Sequence, residues 1–314
     1  MIRVHMPATT ANLGPGFDCI GMALELHNVV EMTPISRGMS IEVFGEGAST
    51  IPKDENNLVY RSARHVFNQA GCSIAGLKIR LFNQIPIARG LGSSTAAIVG
   101  GIIAANMLTG RKLSLRDMIT LASSIEGHPD NVSPAILGGI VVSVNDSGEI
   151  RYLKIEPPSR LRGVVAIPDF NLVTKASREL IPSQIPFQDA VFNVGRVALL
   201  VAALHQGDLS MLSVAMEDRL HQTFRSPLIP GLKKVLAAAK LAGARGVTLS
   251  GSGPSVIAFA DANFELIARV MGDTFRQNGV MPKVLVLKPS PIGARALKLN
   301  KQDMVILRFD DLTD

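Results

Sequence analysis

The chain has no tryptophan, two tyrosines and only 4% aromatic residues in 314. Proteins that read single-stranded nucleic acid stack bases on aromatic rings set beside basic side chains. The formal net charge is +6 and the pI is near 9.5. Yet no basic run exceeds two residues, as at Lys233-Lys234, and the charge is scattered. Nucleic acid is therefore not the expected partner. A pocket for a small anion needs only two or three of these arginines.

Two cysteines, Cys19 and Cys72, are too few for a disulfide framework and lack metal-site spacing. The opening Met1-Ile2-Arg3-Val4-His5-Met6-Pro7 has no basic segment followed by an apolar one, so no signal peptide is expected. The longest apolar run, 96–105, is far short of the ~20 residues a bilayer requires. These features lead us to expect a soluble, cytoplasmic protein with no membrane partner. No glycine is followed by lysine, which excludes a Walker A loop. The Gly-x-Gly pairs at 14/16, 45/47, 90/92 and 251/253 lack the third glycine of a dinucleotide fingerprint.

What is present is ample apolar material. Hydrophobic residues are 47%, charged residues 18% and mean hydropathy +0.27, the profile of a packed core. The 28 glycines exceed the usual ~7% share. Residues 39–44, 77–81 and 140–144 read as strands, and 57–69 as an amphipathic helix closed by Gly71. A helix of small residues is expected from Gly92 to about Ala104. Ser114 to Asp117 resembles a capping box that opens a helix to Glu126. Residues 155–159, Ile-Glu-Pro-Pro-Ser, read as a linker between domains 1–158 and 159–314. Beyond it, strands are expected at 161–167, 247–249, 256–259 and 284–287, and helices at 191–205, 232–241 and 264–277. Strands and helices mixed in both halves point to an α+β fold.

Four segments carry chemistry. The strongest is Pro86-Ile87-Ala88-Arg89-Gly90-Leu91-Gly92-Ser93-Ser94-Thr95-Ala96, between a strand and a helix. Its glycines allow a sharp turn. The following helix offers unpaired N–H groups and the positive end of its dipole to an anion. The bland alternative is a tight packing turn. Residues 7–21, with Asn12, Gly14, Gly16 and Asp18, would alone be ordinary turn chemistry. Residues 249–255, with Gly251, Ser252 and Gly253, fit a hairpin turn or an anion nest. Residues 126–139 place Glu126, His128, Asp130 and Asn131 within a few positions. A carboxylate such as Glu126 is unfavourable at the C-terminal end of a helix. The histidines at 5, 27, 65, 205 and 221 read as structural.

In order, these loops resemble the three motifs of the GHMP kinases. Pro-x-x-x-Gly-Leu-Gly-Ser-Ser at 86–94 is the specific one, with Thr95 where alanine is commoner. Residues 7–21 and 126–135 are most similar to the homoserine kinase branch. The resemblance implies a two-domain fold, the first domain like domain 2 of ribosomal protein S5 and the second ferredoxin-like. It implies phosphorylation of the side-chain hydroxyl of L-homoserine from ATP and Mg²⁺, on the route to threonine. The alternative is another GHMP kinase acting on a different small hydroxyl substrate.

Residue by residue, the resemblance puts 86–96 and 251–253 on the ATP phosphates and Ser94 and Glu126 on the metal ion. Asn12 and Asp18 would hold the substrate, with Asp18 facing its ammonium. His128 and Asn131 would lie near the amino acid and its hydroxyl. Thr174, Arg178 and Arg225 would contact the substrate, the two arginines clamping its carboxylate. Asn131 orients the hydroxyl in the favoured mechanism, which needs no dedicated base. Asp130 is the rival base. A homodimer is the expected assembly.

Overall fold

The computed structural model describes residues 1–172, 174–299 and 304–308; the side chains of 174, 175, 299 and 304–308 are outside that description. The first half is built on two long strands, β1 (Ile2–Asn12) and β2 (Gly16–Pro34), paired antiparallel. They are followed by β3 (Gly38–Gly45), α1 (Leu58–Gln69), β4 (Gly76–Asn83), α2 (Ser93–Leu108), α3 (Leu115–Glu126), α4 (Val132–Leu137), β5 (Ile140–Asp146) and β6 (Glu149–Ile155). The second half runs β7 (Arg162–Pro168), α5 (Thr174–Glu179), α6 (Phe187–Gln206), α7 (Leu212–Ala215), α8 (Gln222–Arg225), α9 (Leu232–Leu241), β8 (Gly246–Leu249), β9 (Val256–Ala260), α10 (Phe264–Gln277) and β10 (Pro282–Leu287). It ends with β11 (Arg295–Leu299) and β12 (Met304–Arg308).

The larger sheet has the order β12-β11-β1-β2-β4-β3, with β5 and β6 continuing from the far end of β2. Only β3 and β4 run parallel in it. The smaller sheet, β10-β7-β9-β8, is antiparallel throughout. The α+β character expected from the sequence is thus present. The change of sheet falls between β6 and β7, beside the linker read at 155–159. However, β11 leaves the second half and pairs with β1, so residues beyond 294 complete the first sheet. Of the tail 308–314, Arg308 ends β12 and the remainder is outside the described residues.

Local signals explain the helices that position the site. Asn57 caps α1 by accepting from the Val59 and Tyr60 N–H groups. Ser114 and Asp117 close a reciprocal capping box on α3, and Gly127 ends it in the left-handed region. α2 is apolar on all sides because all sides are buried. A Cβ on Gly101 would sit 2.5 Å from the Val59 carbonyl, so that glycine lets α1 approach closely. α6 has the length and apolar content of a membrane span. Leu200 and Leu204 of α6 lie in the core, Phe187, Val191 and Val194 are exposed, and Asp189 and Arg196 pair with Arg219 and Glu217.

Candidate active site

A cleft of about 520 Å³ opens where β1, the N-terminus of α2, the end of α3 and the glycine turn after β8 meet. Residues 87–94 line it, as do Asn12, Asp18, Glu126, His128, Asp130, Asn131, Arg178, Arg225, Gly251 and Ser252. The four segments singled out in the sequence therefore converge on one site, joined there by Arg178 and Arg225. Pro86, Thr95 and Ala96 are buried behind the lining. Gly253 borders the turn but not the cleft. Thr174 opens α5, and its side chain is outside the described residues.

The phosphate-type loop is locked from both sides. Gly92 caps α2 at φ +71° with no side-chain cap, leaving the first N–H groups of α2 for a ligand. Gly90, at φ +74°, presses on the turn after β8, where a Cβ would meet the Ser250 carbonyl at 2.1 Å. The Ser250 hydroxyl donates to the Gly90 carbonyl at 2.5 Å. The Asn12 amide donates to the Gly251 carbonyl at 3.1 Å and accepts from the Asp18 N–H at 3.1 Å. Asn12, expected to grip substrate, also fixes two loops against each other.

Glu126 resolves its own difficulty. It ends α3, where the dipole disfavours a carboxylate. There its Oε1 accepts from the Ser94 hydroxyl at 2.7 Å and the Thr95 hydroxyl at 2.9 Å, at the opposite pole of α2. Two hydroxyls and a carboxylate beside a phosphate loop form a hard-oxygen set suited to Mg²⁺, which keeps waters and phosphate oxygens as its other ligands. Ser94 and Glu126 therefore fit the role that the resemblance assigned them. Thr95 joins them as the buried anchor.

A second cluster lies around Asp130, 2% exposed. His128 Nδ1 is 2.5 Å from Asp130 Oδ1, and the Asn131 amide reaches the same oxygen at 3.4 Å. Burial alone would lower the His128 pKa, but the hydrogen bond to Asp130 and the charges of Asp130, Glu126 and Asp18 hold it above its ordinary value. The Thr9 hydroxyl donates to Asn131 Oδ1 at 2.7 Å. That bond fixes the amide's orientation and turns its N–H₂ toward use as a donor. Cys19, behind this cluster, is pushed up to about 11 by burial and by Asp130 and Asp18, so its thiol is inert.

The two arginines differ. Arg178 is half-buried and binds the carboxylate of Asp18 through both terminal nitrogens, at 2.8 and 2.7 Å. Arg225 is 1% exposed. Burial first, and then the neighbouring Arg178 charge, bring its pKa down to about 10. The Phe17 ring lies against both guanidinium groups, 5.1 Å from Arg178 and 5.4 Å from Arg225.

Two family models match the chain. The GHMP kinase N-terminal domain matches residues 57–139, and the GHMP kinase C-terminal domain matches 200–277. Homoserine kinase of Carboxydothermus hydrogenoformans is 49% identical over 294 residues, 94% of this chain and 96% of that protein. Homoserine kinase of Moorella thermoacetica is 48% identical over 94% of this chain and 99% of its own. The crystal structure of homoserine kinase from Cytophaga hutchinsonii superposes with a TM-score of 0.84, at 32% identity, covering 94% of this chain and 96% of that one. The chain belongs to the homoserine kinases of the GHMP kinase family.

Against that family membership, three residues of this site stand out because sequence reasoning missed them. Thr9 sits inside the 7–21 run, but its bond to Asn131 spans 122 positions and leaves no local trace. Phe17 looks like one more apolar residue until the arginines fold over it. His221, read as structural, is wholly buried and touches Arg225.

Proposed function

We propose that this homoserine kinase transfers the γ-phosphoryl group of ATP to the side-chain hydroxyl of L-homoserine, forming O-phospho-L-homoserine and ADP. The observation that carries the reading is the joining of two different sites in one cleft. One is a glycine loop on an uncapped helix N-terminus. The other is an Asp18, Arg178 and Arg225 group that complements a zwitterion. A sugar or other hydroxyl substrate without a carboxylate would offer nothing to draw Arg178 from Asp18 and no anion to the buried Arg225.

The apolar end of the cleft, with Met6, Val30, Leu58, Val59 and Leu81, suits the flat adenine base. The N–H groups of 90–94 then face the phosphates. Ser94 and Glu126 would hold Mg²⁺, which when bound neutralises phosphate charge and organises the leaving group. Asp18 receives the substrate ammonium, and Arg178 and Arg225 receive its carboxylate. The Asn131 amide donates to the hydroxyl oxygen, which points its proton away toward the incoming phosphoryl oxygens. Phosphoryl transfer depends mostly on positioning and charge stabilisation. The hydroxyl proton can therefore leave late, directly to phosphate, with no side-chain base. Asp130 Oδ1 is already engaged by His128 and Asn131, which supports the reading without a side-chain base.

The resemblance also carries the expectation of a cytoplasmic homodimer, and sedimentation velocity of the purified chain tests the dimer. A coupled ADP-release assay against homoserine, threonine, mevalonate and galactose tests the substrate. Turnover is expected with homoserine far above the others; preference for mevalonate or galactose would overturn the reading.

A further inference from the structure

His221 is buried to the last ångström of its ring, and so is Asp218 beneath it. Its Nδ1 lies 2.9 Å from Arg225 Nη1, and its Nε2 lies 2.8 Å from the Gly14 carbonyl oxygen. A guanidinium can only donate, so Nδ1 must accept. Nε2 then carries the proton and donates to Gly14. The partners at both ends thus fix one neutral tautomer. Burial favours the same form, holding the imidazole below its ordinary pKa despite nearby Asp218.

These two bonds join the two halves of the zwitterion site. Gly14 belongs to the loop that carries Asp18. That loop is pressed on the chain before α8: Gly14 sits at φ +91°, and a Cβ there would meet the Met216 carbonyl at 2.3 Å. Arg225 sits four residues after His221, on the same face of the turn. Its Nη1 is fully used, by His221 and by the Gly251 carbonyl at 3.2 Å. Its Nη2 has no protein partner among the described residues. Asp218 holds the support in place. It accepts from the Leu220, His221 and Gln222 N–H groups and from the Asn193 amide.

We infer that His221 is a positioning residue for substrate recognition, setting the distance and orientation between Arg225 and the Asp18 loop so that carboxylate and ammonium are bound together. This rests on the homoserine reading above. Its effect should appear in homoserine binding and not at the nucleotide.

The test is steady-state kinetics on the full enzyme with ATP and Mg²⁺, using His221→Ala, His221→Asn, Arg225→Ala and the His221→Ala/Arg225→Ala pair. The Asn carbonyl can replace Nδ1 as acceptor. His221→Ala is expected to raise the homoserine KM at least tenfold, with the ATP KM within twofold and kcat within about threefold. His221→Asn is expected to recover most of that loss. In the Arg225→Ala background, His221→Ala should change kcat/KM for homoserine by less than threefold. Equal rises in both KM values, or a full additional loss in the double variant, would overturn the inference. Should His221→Ala not fold, His221→Asn set against His221→Leu carries the same comparison. A parent enzyme with no homoserine turnover overturns the function and this inference with it. A normal parent with unaltered variants overturns the inference alone.

Discussion

Arg178 holds Asp18 by a two-pronged ion pair across 160 residues of sequence. Both groups are expected to bind the substrate, the arginine its carboxylate and the aspartate its ammonium. On the proposed reading, homoserine binding is an exchange, in which one internal pair gives way to two pairs with the ligand. A ligand with only one of the two charges would leave its other partner unsatisfied. Arg178→Ala should lower kcat/KM for homoserine by roughly 10- to 100-fold, from the ~1.5–3 kcal/mol of a hydrogen bond to a charged group. The ATP KM should stay within about twofold. An equal loss on both substrates would place Arg178 on the nucleotide side.

Asp130 is the side chain to test for base catalysis. A positioned general base contributes about 10²–10⁴-fold. If Asn131 orients the hydroxyl and the proton leaves to phosphate, Asp130→Asn should keep kcat within about tenfold of the parent. A loss beyond a hundredfold in a well-folded variant would make Asp130 the base.

The His128–Asp130 pair also leaves a signature in stability. The His128 pKa is raised in the folded state above its ordinary 6.5. The folded protein therefore binds that proton more tightly than the unfolded chain does. The added stability is fully present below pH 6.5 and is lost as pH rises through the folded pKa. The melting-temperature difference between parent and His128→Asn should be largest below pH 6.5 and shrink above it. A difference independent of pH would contradict the assignment.

Gly92→Ala probes the link between the two sites. Gly92 lies at φ +71°, and an added Cβ would fall 2.0 Å from the Thr9 hydroxyl oxygen. That hydroxyl holds Asn131. The left-handed conformation alone costs about 1–2 kcal/mol for a residue with a Cβ. The variant should melt several degrees lower and lose kcat at least tenfold. Unchanged kcat would show that Thr9 does not hold Asn131 for the reaction.

The sequence carried the parts of the site that are local. The glycine loop at 86–96 and the capping box at Ser114 depend on neighbours within a few positions, and both are found where the pattern puts them. The long strands β1 and β2 were not legible. Much of each is buried on both faces, so the alternation that marks a strand is absent over those stretches. The return of β11 to β1 joins residues nearly 300 positions apart and has no local code. His221 shows the same limit inside the site. A lone histidine is an ordinary core residue until the fold brings Gly14 to one nitrogen while Arg225 meets the other.

The central claim is that the phosphoryl group goes to the side-chain oxygen of homoserine. The direct measurement is ³¹P NMR of the purified enzyme with ATP, Mg²⁺ and L-homoserine. The account predicts one phosphomonoester signal that co-resonates with added O-phospho-L-homoserine and grows one-for-one with ADP. ADP formed at the same rate without homoserine, or accompanied only by free phosphate, would contradict it.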